Sequence, residues 1–157
     1  VSNPNPTPTP QNINLVVGQS YFTSFNTNSE YLRKMKYCGI QSYTIYGDIS
    51  ETGMFFAPMN SSACANSETE GLSVSLTKFK VKLNLINEVN KLNELNTKYG
   101  VAIDSSYPNS NGVVDLYVTT SNLNAYTLSK LYFDTGYFEW TSAEQGSASS
   151  DSTFTQN

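Results

Sequence analysis

No histidine occurs among the 157 residues of this chain. Without imidazole, a serine or cysteine nucleophile lacks its usual base. Histidine-ligated zinc, haem and non-haem iron are excluded on the same ground. The two cysteines, Cys38 and Cys64, are too few for a four-thiolate cluster. Carboxylate or lysine chemistry remains. A glycosidase needs two carboxyl groups facing one bond, one of them with a raised pKa. The 13 Asp and Glu are scattered along the chain. Glu139, between Phe138 and Trp140, is the best single candidate, but on an alternating strand it faces solvent. Asp134-Thr135-Gly136 has the form of the aspartic-protease tripeptide. That chemistry needs two such aspartates in symmetric halves, so a single copy reads as a turn. Neither a Gly-rich phosphate loop nor a regular calcium loop is present. The expectation is a protein that is not an enzyme and holds no cofactor or metal.

Three other groups of residues invite a functional reading. Lys78, Lys80 and Lys82 form a stripe that would suit an anion or an acidic glycan. The plainer reading is a solvated strand face whose charges deter edge pairing. Tyr126, Tyr132, Tyr137 and Trp140 fall within 15 residues and could stack on sugar rings. The plainer reading is that they pack a sheet, where tyrosine favours half-buried positions. Asn60-Ser61-Ser62 is an N-glycosylation acceptor in a Ser/Asn/Ala-rich stretch that reads as an exposed loop.

Composition sets the compartment. Hydrophobic residues make up 38% of the chain and charged residues 14%, well under the ~25% of an ordinary soluble domain. Ser, Thr and Asn, with 21, 16 and 18 copies, fill the difference, so the surface is polar but largely uncharged. A net charge of −4 and a pI near 4.7 argue against nucleic-acid binding, which needs clustered positive charge. No apolar run approaches the ~20 residues of a membrane span. The chain opens on Val1 rather than Met, as a secreted chain does once its signal peptide is removed. A disulfide between Cys38 and Cys64 fits that setting. Closing this loop is worth ~3.5 kcal/mol by chain entropy.

These residues need elements to hold them. Proline at every second position of 3–10 fixes φ and removes donors, so 1–11 reads as a stiff linker or tether. A single globular domain is expected over 12–141, followed by a flexible Ser/Thr-rich tail over 142–157. Ile13, Leu15 and Val17 alternate within 12–17, a strand signature ended by Gly18. Residues 41–57 read as two strands joined by a turn. In 72–83, Leu72, Val74 and Leu76 alternate, then Phe79, Val81 and Leu83 on the other parity, as across a β-bulge at 77–78. An apolar-Asn-x repeat predicts a helix over 85–99 with Gly100 as its C′ residue. The repeat carries Asn93 and Asn96 to the margin of the apolar face, where they suit a polar network or a partner contact. Strands follow at 101–103, 113–119 and 137–141, and Thr120 and Ser121 could cap a second helix carrying Leu123, Tyr126, Leu128 and Leu131, although Tyr126 to Phe133 also suits a strand. From 72 onward the order is strand, helix, strand, strand, helix, strand, the split βαβ order of ferredoxin-like folds. The expected class is α+β: an antiparallel sheet with one or two helices and extra N-terminal strands. A pilin-like β-sandwich with inserted helices is the alternative.

The expected role is that of a secreted structural protein of the cell surface. Its sharper form is an extracellular, pilus-like filament subunit. Residues 12–18, through Ile13, Leu15 and Val17, would complete the sheet of the next copy in a head-to-tail polymer. The alternative is a carbohydrate-binding or adhesive module on a Pro/Thr linker.

Overall fold

The structure, a computed structural model, describes residues 12–45, 49–60, 64, 71–84, 89–104 and 111–146. The expected tether 1–11, the start of the expected first helix (85–88) and residues 147–157 lie outside the described residues.

Strand β6 (Lys78–Leu83) shows why these elements form. Its odd residues Phe79, Val81 and Leu83 are buried while its lysines face out. β8 (Val113–Val118) pairs with it and buries Val114 and Leu116 on the same side. Helix α1 (Val89–Tyr99) buries Leu92 and Asn96. It ends at Gly100, whose φ of 73° lies in the left-handed region and whose amide donates to Asn96 O at 3.0 Å. A Cβ at Gly100 would collide with the Thr120 hydroxyl and lie 2.7 Å from Ser121 N, so both backbone and space require glycine. Helix α2 (Ala125–Asp134) starts from Asn124, whose side chain accepts from Thr127 N at 2.8 Å. The expected cap at Thr120 or Ser121 is therefore corrected: Ser121, three residues before the true cap, instead accepts at Oγ from Leu123 N.

The remaining strands are β1 (Ser20–Phe22), β2 (Ser24–Asn26), β3 (Lys34–Ile45), β4 (Ile49–Ala57), β5 (Leu72–Ser75), β7 (Val101–Ile103), β9 (Phe138–Ser142) and β10 (Glu144–Gly146). They form two open antiparallel sheets, ordered β1-β3-β4-β5-β10 and β2-β9-β6-β8-β7. The second sheet, less β2, is the expected split βαβ unit: β6-α1-β7-β8-α2-β9 paired as β9-β6-β8-β7. The first sheet adds the extra strands. Helix α2 packs on both sheets, so the class is α+β. Tyr126 meets Phe56 of the first sheet (centroids 6.3 Å apart) and Phe25 of the second (5.8 Å). Tyr132 meets Phe79 at 5.1 Å and Phe138 at 5.8 Å. One core cluster thus spans both sheets.

The chain passes between the sheets at Thr23, through residues 27–33, at Ala143 and at the turn after Ser75. That last passage corrects the expected β-bulge at 77–78. The parity switch marks a turn from one sheet to the other, with Ser75 Oγ accepting from both Thr77 N and Lys78 N. A bulge does occur, in β3. Between Tyr37 opposite Phe56 and Ile40 opposite Met54, β3 has one residue more than β4, and Gly39 supplies the φ of 104°.

Two further expectations change. Residues 12–17 join no ladder, because the chain turns at Gly18 (φ 94°) and leaves β3. The expected tail also starts too early. Ser142 ends β9, and residues 144–146 pair with β5 because Glu144 is drawn into the interior.

Candidate functional site

The disulfide Cys38–Cys64 is present, with Cα atoms 5.6 Å apart. Cys38 sits beside Gly39 in the β3 bulge, where the extra residue departs from the regular pleat. The bond ties Cys64 to the middle of β3. Asn60, in the turn after β4, is exposed.

The proposed sugar platform is corrected. Tyr126, Tyr132 and Trp140 are all buried. Tyr126 and Tyr132 face inward from α2, which has a sheet on either side. The Tyr126 hydroxyl donates to Phe22 O at 2.7 Å, and that of Tyr132 to Asn96 Oδ1 at 2.8 Å. Burial, with Tyr21 nearby, pushes the Tyr126 phenol up to about 12. Burial, then Tyr99, raises Tyr132 too. Trp140 lies on the lysine-bearing side of β9, opposite Lys82 and Asn26 and outside the main core cluster. Tyr137 is half-buried, and Lys91 Nζ stands 5.7 Å from its ring centre. Three of the four rings therefore offer no face to a sugar. Asn96, by contrast, accepts from the Tyr132 hydroxyl inside the core, while Asn93 is exposed.

The lysine stripe is neutralised. Lys78 pairs with Glu51 at 3.9 Å, Lys80 with Asp115 at 3.9 Å and Lys82 with Glu139 at 3.4 Å. An anion would have to displace a carboxylate at each position. Glu139 thereby has an ion-pair partner rather than an apolar pocket.

Sequence reading missed Glu144. Its side chain is wholly buried where β10 leaves β9. One carboxylate oxygen accepts from Arg33 at 3.1 Å and the other from the Thr23 hydroxyl. Partners 111 and 121 positions away leave no local signature. This clasp holds β1, β10 and the β2–β9 pair together at the fork between the sheets.

The N-terminal segment is anchored by side-chain bonds in place of a ladder. Asn12 Oδ1 accepts from Asn124 N at 2.8 Å, and Asn12 Nδ2 donates to Asn122 O at 3.4 Å. Ile13 N donates to Thr127 Oγ1 at 3.0 Å. These bonds fasten the segment to the first turn of α2. Ile13 and Leu15 pack against the core, while Val17 is 62% exposed. Tyr21 OH accepts from Val16 N at 2.9 Å, and Gln19 N donates to Val16 O at 3.0 Å, fixing the turn at Gly18. Val17 Cγ2 ends 3.8 Å from where a Cβ of Gly39 would lie.

Beyond that turn, part of β3 has no second neighbouring strand among the described residues. β1 covers β3 only opposite Lys34–Lys36. From Ile40 to Ile45, β3 pairs with β4 alone among the described residues. A shallow groove of about 260 Å³ lies between the last turn of α1 and residues 120–123. Thr97, Lys98, Thr120 and Asn122 give it a polar lining. Among the described residues no helix is long and apolar enough to cross a membrane, and no three Cys, Asp or Glu converge to hold a metal. Compared with known proteins, the chain matches no family model, no curated protein and no solved structure.

Proposed function

We propose that this chain is a secreted, non-catalytic structural protein of a cell surface that assembles with copies of itself by adding its N-terminal strand to a neighbour. The observation that carries this reading is the state of residues 12–17. They form an alternating apolar run that joins no ladder in its own domain. Side-chain bonds from Asn12 and Ile13 hold it instead. The disulfide supports an oxidising compartment. The low charge supports close packing of copies, because little like-charge repulsion opposes it. Size-exclusion chromatography across a concentration series, with negative-stain imaging, tests the reading. Head-to-tail polymers are expected. A protein that stays monomeric near millimolar concentration overturns it.

A second reading, a carbohydrate-binding or adhesive module, rests on the polar groove beside Gly100 rather than on the buried aromatics. Its hydroxyl, amide and ammonium groups suit a polyol. Glycan-array binding lost in Thr97→Val and Asn122→Leu variants would favour it.

A further inference from the structure

We propose that the edge of β3 from Ile40 to Ile45, open among the described residues, is a strand-acceptor site, and that its occupant is residues 12–17 of a second copy. This rests on the self-assembly reading above and names the acceptor it requires. The first argument is register. β1 runs antiparallel to β3 with Ser20 opposite Lys36, and Tyr37 N donates to Gln19 O at 2.8 Å. A strand laid antiparallel beyond the one-residue bulge at Cys38-Gly39 with position 17 opposite Ile40 sets position 12 opposite Ile45. Six residues meet six. In that register Ile13, Leu15 and Val17 lie on the side of the sheet that carries Ile40 and Met54. Val17 and Ile40, now 62% and 59% exposed, would cover each other.

The second argument is composition. Neither 12–17 nor 40–45 contains a charge or a proline. Natural edges are ordinarily blunted by lysine, proline or short length. The outermost strands β1, β2, β7 and β10 are three residues each. At β1, the Phe22 carbonyl is already taken by Tyr126. The β3 edge carries none of these protections.

The third argument selects a second copy over the chain's own segment. The bonds Val16 N to Tyr21 OH and Gln19 N to Val16 O lock the Gly18 turn, which aims residues 12–17 away from their own β3. A neighbour's segment meets no such turn. In exchange, each copy gives up the three bonds made by Asn12 and Ile13 and the packing of Ile13 and Leu15 against its own core. It gains about six ladder hydrogen bonds, two for each alternate pair across six residues.

The test uses single-cysteine additions to the native chain, made in separate batches. Asn14→Cys protein is mixed with Tyr43→Cys protein under mild oxidant, and linked peptides are mapped by mass spectrometry. Val16→Cys with Gln41→Cys is the second pair, since both positions are exposed. Melting curves confirm that each variant folds. Interchain 14–43 and 16–41 links at least tenfold above those to a Lys98→Cys control are expected. Three results overturn the proposal: links equal to the control, 43–43 links alone, or links confined to one chain in the Asn14→Cys/Tyr43→Cys double variant. Native protein imaged in parallel separates the two levels. Fibres without 14–43 and 16–41 links discard this acceptor and keep self-assembly. Neither fibres nor links discards both.

Discussion

Two strands of the molecule treat charge in opposite ways. β6 lies inside its sheet, with β8 on one side and β9 on the other, yet presents three lysines, each ion-paired. The distal half of β3 is paired on one side among the described residues, yet carries no charge from Ile40 to Ile45. If charge served only to deter edge pairing, the pattern would be reversed. The β6 lysines instead occupy the polar face of a half-buried strand and tie it to its neighbours. The edge of β3 from Ile40 to Ile45, unpaired on one side among the described residues, is where the proposed further strand would add.

The largest expected effect sets these strands side by side. Val81→Asp puts an unpaired charge at a wholly buried point of β6, costing at least ~4 kcal/mol, so urea denaturation should find the variant largely unfolded. Ser42→Asp on the open edge should stay within ~0.5 kcal/mol of the parent yet suppress self-association. Equal losses in both variants would erase the contrast.

Removing the crosslink with Cys38→Ser and Cys64→Ser should cost about 3 kcal/mol, read as a lowered urea midpoint. Loss of less than ~1 kcal/mol would mean that β3 and its bulge are held without the bond.

Alkaline pH probes the helix between the sheets. The Tyr126 phenol is raised from 10.0 to about 12 in the fold, so folding favours its protonated form. Its stabilisation is fully present below pH 10 and falls as pH rises toward 12. The loss is on the order of 2–3 kcal/mol at the upper end. Tyr126→Phe should flatten that part of the stability curve.

The smallest effect concerns the stripe itself. Lys80→Ala should cost under ~0.5 kcal/mol, with the difference fading in 1 M salt, because its pair with Asp115 is largely solvent-exposed. A loss several times larger would make the β6 lysines structural.

Much of the second sheet was legible in the sequence. Its strands alternate cleanly, and the Asn repeat keeps one apolar side, so the split βαβ order could be read directly. The first sheet was harder. A crossing between sheets and a β-bulge both flip the parity of an apolar run, so 72–83 could not distinguish them. The bulge that exists, at Cys38-Gly39, sits where glycine interrupts the alternation. The aromatic cluster left two readings open, because an inward helix and an exposed platform both call for Tyr; burial of Tyr126, Tyr132 and Trp140 favours the plainer one. Glu144 sits among small residues that resemble a tail, and its partners are distant in sequence. Likewise, nothing near Asn12 announces its bonds to the start of α2.

The fork at Thr23 and Ala143 has a thermodynamic consequence. Chain continuity carries β1 into β2 and β9 into β10, so each outer strand of the first sheet is covalently an extension of the β2–β9 pair in the second. Opening either outer strand pulls on Thr23 or Glu144, whose shared contact with Arg33 bridges the gap. Two sheets that could have melted separately are thereby coupled into one cooperative unit.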